Sequence, residues 1–306
     1  MSAMHSDPLM RHLPRRALFL ASLSVVLGVR AVILAPALAT VAVVVRAATT
    51  AHRTPLCGAI ARRPPGIQGL AKMAATTASA PPPRHLRAVI WDVDGTLVES
   101  TRLGFEGTNA VLAATGLPEI SEAQYREATR YPTVERFGVH VSGDPSDPRG
   151  PELARHFDEL YVKRVSLATV PLFPGMADLL KELKSTGCRL GAVSNACTAY
   201  VRAVLATHGL DADFECQLGT DDVPAAKPSP AGLLRCCEEM GLNARDCAYI
   251  GDAPTDGKAA RAAGLRGHGV AWGSHDRDAL EPVFDEIHDT IPALRAALVA
   301  GVAPPA

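Results

Sequence analysis

The chain has 306 residues, 47% of them hydrophobic, so it is large and apolar enough to bury a core, and a wholly disordered protein is excluded. Its net charge of -1 is the sum of two unlike parts: residues 1–90 contain eleven Lys and Arg residues and one acid, which leaves twenty bases and thirty-one acids for residues 91–306. An acidic body without an extended basic face argues against nucleic-acid binding. The seven cysteines, an odd number with no C-x-x-C pair, favour reduced thiols over a disulfide scaffold or a zinc site.

Residues 1–85 have the composition of a targeting leader and linker. Two apolar runs, at 17–29 and 31–45, follow a basic stub, and neither reaches the roughly 20 residues of a membrane-spanning helix. An A-x-A motif at 37–39 is typical of a signal peptide, and the acid-free stretch at 40–83 is typical of an organellar transit peptide. Such a two-part leader resembles those of proteins sent to plastids bounded by extra membranes, so we expect a plastid protein without stable membrane association after processing.

Two other interpretations of this leader stay open. Residues 17–45 are also compatible with an N-terminal membrane anchor. Translation that begins near Met73 would instead give a cytoplasmic protein. All three interpretations concern location and leave the rest of the chain unchanged.

From Leu86 onward, short apolar runs alternate with stretches of helical period. This alternation predicts an α/β fold with a Rossmann-like parallel sheet covered on both faces. The predicted strands are Ala88–Trp91, Arg189–Val193, Phe214–Leu218, Cys247–Ile250 and Gly267–Ala271, and the predicted helices between them are 176–185, 199–208, 231–240 and 255–263.

Residues 100–172 contain no convincing strand and three amphipathic stretches, at 103–114, 121–130 and 151–167. We therefore predict a helical cap domain over 100–172. It is inserted into a catalytic core made of residues 86–99 and 173–300.

The first strand runs directly into Asp92 and Asp94. Ligands of open parallel sheets bind beyond the carboxyl ends of the strands, so this is where chemistry is expected. Two neighbouring carboxylates need a cation or a shared proton, and Mg²⁺ is the usual hard cation beside phosphate. Gly95 then permits a tight turn of the backbone toward a substrate.

Three further segments follow predicted strands. Ser194 and Asn195 offer a hydroxyl and an amide to phosphate oxygens, and the ammonium of Lys227 neutralises charge on a transferred phosphoryl group. Asp252 and Asp256 offer two more carboxylates to a metal ion. Taken singly, each has an ordinary explanation as a helix cap, a turn or a loop residue. Together, in this order, they predict a phosphate and metal site.

With these motifs the region from Leu86 to Leu298 resembles the haloacid dehalogenase superfamily, specifically its phosphatases with a small helical cap. The resemblance rests above all on the sequence from Asp92 to Thr96, D-V-D-G-T. It implies that Asp92 attacks phosphorus and forms an aspartyl phosphate, while Asp94 protonates the leaving oxygen and then activates water. Ala253 stands where the family often has Ser or Thr, which we expect to tune activity only.

The resemblance also assigns the other site residues. The metal ligands it implies for Mg²⁺ are the Asp92 carboxylate, the backbone carbonyl of Asp94 and the Asp252 carboxylate, with Asp256 as a further ligand or a partner of one. The residues it implies for phosphate or substrate binding are Gly95, Thr96, Ser194, Asn195 and Lys227.

Asp94 decides among the reactions of the family, because dehalogenases and phosphonate-cleaving relatives lack this second aspartate. A phosphosugar mutase of the β-phosphoglucomutase type carries a cap histidine and a cap arginine where an approximate alignment gives Gly104 and Val134. Both differences favour transfer to water, that is, a phosphatase. The mutase and a non-catalytic phosphate-binding protein of the same fold remain the alternatives.

A cap that closes over the site favours a small phosphorylated metabolite as substrate. Arg130 and Arg136 are candidates to recognise a carboxylate or a second phosphate on it, although surface arginines usually pair locally. The resemblance is strongest to phosphoglycolate phosphatases, through the first motif and the adjacent Val98–Ser100. A plastid location suits that substrate, and a sugar bisphosphate is the second choice. The sequence predicts no oligomeric state.

Overall fold

The computed structural model of the protein describes residues 85–302. Nearly all of the predicted leader at 1–85, including both apolar runs, lies outside these residues, as does 303–306. Six strands form the sheet: β1 (Ala88–Trp91), β2 (Arg189–Val193), β3 (Phe214–Leu218), β4 (Cys247–Gly251), β5 (Arg266–Val270) and β6 (Glu286–His288). All neighbouring strands are parallel, in the order β3-β2-β1-β4-β5-β6.

Within residues 85–302, ten α-helices connect and cover these strands. They are α1 (Thr101–Ala114), α2 (Glu122–Ala128), α3 (Thr133–Ser142), α4 (Gly150–Lys163), α5 (Met176–Ser185), α6 (Thr198–Thr207), α7 (Ala231–Glu239), α8 (Pro254–Ala263), α9 (Arg277–Leu280) and α10 (Ile291–Gly301). Within the described range, none of them is both long enough and apolar enough to cross a membrane.

The sheet is buried on both faces because successive side chains of a strand point to opposite sides. Val89 and Trp91 of β1 pack with α5, α6 and α10 on one face. Ala88 and Ile90 pack with α7 and α8 on the other face. The strand order reverses between β1 and β4, and in such sheets the ligand crevice lies at this point, beyond the carboxyl ends of the strands.

Helices α1 to α4 form the insertion between β1 and β2. Helix α4 packs on α1 and α3 and also contacts α6 of the core. A parallel α/β sheet with an inserted helical cap is the predicted fold class, which is confirmed. The exact division into a cap at 100–172 and a core on either side stays a prediction.

Four elements of the structure were not predicted: α3, α9, α10 and β6. Helix α3 was not expected, since its buried face is short, with only Phe137 and Gly138 buried. Strand β6 was not expected either, because its three residues, Glu286 to His288, give too short an apolar pattern. The five predicted strands and four predicted core helices are otherwise present, with ends that differ by at most one residue.

Candidate active site

One cavity lies where the carboxyl ends of β1, β2 and β4 meet the cap. Its empty volume is about 840 Å³, including the part open to solvent. Most of the predicted site residues line it: Asp92, Asp94, Gly95, Ser194, Asn195, Lys227, Asp252, Asp256 and Arg136. The structure therefore brings together residues that are up to 164 positions apart in the chain.

The ammonium of Lys227 is the centre of a buried ionic network. Its Nζ lies 2.7 Å from Asp92 Oδ1 and 2.7 Å from Asp256 Oδ1. It also donates to the Tyr249 hydroxyl at 2.8 Å. Burial lowers the pKa of Lys227, but Asp256 and Asp92 outweigh burial and raise it above the ordinary value. Lys227 is therefore a fixed positive charge beside the predicted nucleophile.

Asp256 is held from three sides. Besides Lys227, the Tyr249 hydroxyl donates to its Oδ1 at 3.1 Å, and the backbone N–H of Ala253 donates to its Oδ2 at 2.9 Å. The last bond satisfies a free N–H at the start of α8. Ala253 therefore positions Asp256 through its backbone, a contact that needs no hydroxyl at residue 253.

Asp252 is fixed from the opposite side by a loop after β5. The backbone N–H and the hydroxyl of Ser274 both donate to Asp252 Oδ2 at 2.6 Å, and Thr96 donates to Oδ1 at 3.3 Å. Gly95 approaches the same carboxylate with φ +73°, and a Cβ there would lie 2.3 Å from Asp252 Oδ2. Only glycine fits at residue 95, both for its backbone angle and for this contact.

The carboxylates of Asp92, Asp252 and Asp256 form one buried cluster, with ligand atoms within 4.8 Å of one another. Lys227 is the cation in contact with two of them. Burial raises the pKa of Asp92 well above its usual value despite Lys227, and Asp256 and Asp252 raise it further; burial and Asp256 also raise the pKa of Asp252. Three carboxylates and one ammonium leave negative charge uncompensated, so these residues fit a bound divalent cation.

Asp94 lies next to this cluster with a different set of partners. Its Oδ1 accepts hydrogen bonds from the hydroxyls of Ser100 at 2.6 Å, Tyr161 at 2.9 Å and Tyr200 at 2.7 Å. Sequence reasoning assigned no role to the two tyrosines.

Ser194 and Asn195 both reach the cavity, but their polar groups also support the loop around it. The Ser194 Oγ accepts from the backbone N–H of Ala196 at 3.0 Å. The Asn195 amide donates to the Lys227 carbonyl at 3.0 Å, and its Oδ1 accepts from the Lys227 N–H at 2.9 Å. Asn195 therefore fixes the backbone that carries Lys227, in addition to facing the cavity. Thr96 is buried behind Asp252.

The two cap arginines lie in different places. Arg136 lines the cavity, with its guanidinium over the rings of Tyr125 at 5.5 Å and Phe157 at 5.2 Å. Its Nε is buried and has no hydrogen-bond partner among the described residues. Arg130 lies outside this cavity, 3.4 Å from Glu127 and exposed. Of these two predicted residues, Arg136 is the one that lines the cavity holding Asp92.

Supporting residues that were missed from the sequence include Ser274, Tyr161 and Tyr200. Ser274 follows β5, so the same strand-end reasoning that selected Asp252 would have found it. The tyrosines come from α4 and α6, and nothing in their local sequence places their hydroxyls on Asp94.

Comparison with known proteins defines the class. Residues 86–264 match the family model of the haloacid dehalogenase-like hydrolases, and the chain belongs to this family. Its relatives include phosphoglycolate phosphatases from Pectobacterium atrosepticum, 31% identical over 219 residues with 68% of this chain and 92% of the relative covered, and from Xanthomonas campestris, 31% identical over 193 residues with 62% and 85% covered.

These relatives narrow the class: the protein is a phosphatase, a phosphoric monoester hydrolase similar to phosphoglycolate phosphatases. Among solved structures, a variant of CbbY from Rhodobacter sphaeroides in complex with xylulose 1,5-bisphosphate is similar, with a TM-score of 0.59 and 26% identity. That match covers 67% of this chain and 94% of the other. The predicted family and enzyme class are thus confirmed.

Proposed function

We propose that the protein hydrolyses a small phosphate ester that carries a second anionic group, with 2-phosphoglycolate as the favoured substrate. The observation that carries this proposal is the position of Arg136, whose side chain lines the same cavity as Asp92 and Lys227. A guanidinium presents several N–H donors, and their planar arrangement matches a carboxylate on a ligand. The names of the 31% identical relatives support the same substrate.

The proposed reaction has two steps. A carboxylate oxygen of Asp92 attacks phosphorus, the ester oxygen leaves with a proton from Asp94, and an aspartyl phosphate remains. Asp94 then takes a proton from water, which attacks the same phosphorus and releases inorganic phosphate. Lys227 and Ser194 face the phosphoryl oxygens, and the ammonium offsets the charge that develops on them.

We propose Mg²⁺ as the cation held by Asp92, Asp252 and Asp256, with the Asp94 carbonyl as a further ligand. The donor set supports this choice, since hard carboxylate oxygens select Mg²⁺ over softer metals. When bound, the ion supplies the positive charge that three buried carboxylates and a phosphate require.

A sugar bisphosphate is the second candidate substrate, because Arg136 suits a second phosphate as well as a carboxylate and the CbbY variant binds such a ligand. Transfer to water rather than to a sugar is supported at Gly104. A Cβ at this position would lie 1.9 Å from the Tyr125 hydroxyl, so a histidine there would displace Tyr125. Val134, the position aligned with the cap arginine of the mutase, does not help to distinguish the two reactions. It is exposed, and Arg136 lines the cavity two residues later.

A panel of phosphorylated metabolites, assayed for phosphate release with and without Mg²⁺, tests the proposal. We expect the highest kcat/KM with 2-phosphoglycolate and loss of activity with a chelator. A higher value for a sugar bisphosphate would select the second candidate. Activity only on substrates without a second anionic group would reject the role of Arg136.

The plastid location is a separate proposal, and the acid-free composition of residues 40–83 supports it. A fluorescent protein fused after residue 85 tests it in cells that contain such plastids. We expect fluorescence in the plastid and a shortened fusion protein. Fluorescence retained in membranes after a carbonate wash would favour the anchor, and uniform cytoplasmic fluorescence would favour the start near Met73.

A further inference from the structure

Three hydroxyl groups converge on one oxygen of Asp94. Ser100, Tyr161 and Tyr200 all donate to Oδ1, at distances between 2.6 and 2.9 Å. Among residues 85–302, no hydrogen bond reaches the other oxygen, Oδ2. A carboxylate held so firmly through one oxygen has a fixed orientation, and its second oxygen is left for the ligand in the cavity that Asp94 lines.

The two tyrosines reach Asp94 from different parts of the fold. Tyr161 belongs to α4 of the cap, and Tyr200 belongs to α6 of the core. Their rings stack with centroids 4.1 Å apart and an angle of 17° between the planes. The stack continues from Tyr161 to Phe157 at 4.7 Å, and Phe157 in turn lies under the guanidinium of Arg136.

We propose that Tyr161 and Tyr200 are positioning residues for the acid–base group: they hold Oδ1 of Asp94 so that Oδ2 meets the leaving oxygen of the substrate. This inference rests on the proposed role of Asp94 as proton donor. It adds that the donor is oriented jointly by cap and core, through a stacked pair that also extends to the cap arginine.

Simple core packing does not account for this arrangement. Phenylalanine would fill both positions without a hydroxyl that needs a buried partner. Both rings are buried, with Tyr200 fully inaccessible. Burial and the charge of Asp94 raise the pKa of both phenols well above the usual value, so both remain neutral hydrogen-bond donors. Two buried donors aimed at one carboxylate oxygen indicate selection for its orientation.

The test compares two leaving groups in Tyr161→Phe, Tyr200→Phe and the double variant. An alkyl phosphate such as 2-phosphoglycolate needs a proton on its leaving oxygen, whereas p-nitrophenyl phosphate releases a stable anion. General acid catalysis contributes about 10²–10⁴-fold. We therefore expect kcat for the alkyl ester to fall by about 10-fold or more in each variant, with KM within about twofold. For the aryl ester we expect a fall below about threefold.

Thr108→Val is the matched control, because it removes a buried hydroxyl of the cap that donates to the Gly104 carbonyl at 2.8 Å, away from the cavity. It should leave the ratio of the two kcat values unchanged. An equal fall for both esters in the tyrosine variants would overturn the proposal, since a general loss of structure acts on both substrates alike. No change for either ester would also overturn it.

A thermal double-mutant cycle tests the hydrogen bond without any assay of activity. Tyr200→Phe should lower Tm in the wild-type background by about 2–4 °C more than in the Asp94→Ala background, where the hydroxyl has lost its acceptor. Equal shifts in both backgrounds would contradict the proposed contact. If the wild-type enzyme hydrolyses no phosphate ester, the proposed function fails, and this cycle still decides whether the tyrosines hold Asp94.

Discussion

The core and cap sides of the cavity differ in how their charged groups are partnered. On the core side, Lys227, Asp92 and Asp256 are tied to one another, and Asp252 is bonded to Ser274. On the cap side, Arg136 rests on two aromatic rings and lines the cavity. The core thus carries the carboxylates and the ammonium that are proposed to react, whereas the cap contributes Arg136, the group proposed to select a substrate.

Asp92→Asn should have the largest effect, because it removes the proposed nucleophile while it keeps the size of the side chain. We expect kcat to fall by about 10⁴-fold or more, as for other groups that form a covalent intermediate. Asp211→Asn, at an exposed acid, is the control and should keep full activity. Activity of Asp92→Asn within tenfold of the wild type would contradict the assignment of the core side.

Lys227→Met should lower the free energy of unfolding by about 3–5 kcal/mol, because it leaves buried carboxylates without their ammonium partner. Urea denaturation in the presence of a chelator measures this loss, and added Mg²⁺ should restore part of it. Lys184→Met breaks a half-exposed pair with Asp213 and should cost less than about 1 kcal/mol. Equal losses in the two variants would show that the buried network stabilises the fold no more than a half-exposed ion pair does.

Arg136→Met tests the cap side of the comparison. It should lower kcat/KM for the preferred dianionic substrate by about 10- to 100-fold, the value of a hydrogen bond to a charged group, and leave p-nitrophenyl phosphate nearly unaffected. Arg130→Met is matched in chemistry but lies outside the cavity, so it should change neither value. Similar losses of kcat/KM for both substrates would show that Arg136 supports the site in general and does not select the substrate.

His268 on β5 and His288 on β6 lie away from the cavity, so the pH dependence that they give to the stability of the fold can be measured apart from that of the site. Burial and His288 lower the pKa of His268 to about 4, so this histidine is neutral in the folded chain. The unfolded chain binds its proton near pH 6.5, and stability therefore falls as the pH decreases through this window. Between pH 6.5 and 5, the free energy of unfolding should fall by about 1.5 kcal/mol more in the wild type than in His268→Leu. Equal falls in the two proteins would exclude this linkage.

The core and cap sides of the cavity also differ in how well they could be predicted from the sequence. The core side was predictable, since Asp92, Ser194 and Asp252 each follow a strand and parallel strands end at one edge. The cap side was not, because helical periodicity identifies a buried face but not the hydroxyl-to-carboxylate contacts of Tyr161 and Tyr200. Short β6 and the weakly apolar α3 were missed for a related reason, as packing rather than local pattern stabilises them.

Asp92 is proposed to accept the phosphoryl group in a site completed by Mg²⁺. Fluorine NMR of the full chain with beryllium fluoride, a mimic of the aspartyl phosphate, tests it most directly. We predict bound fluoride resonances that appear only with Mg²⁺ and are lost in Asp92→Asn. The same resonances in that variant, or none in the wild type at saturating Mg²⁺, would contradict the account.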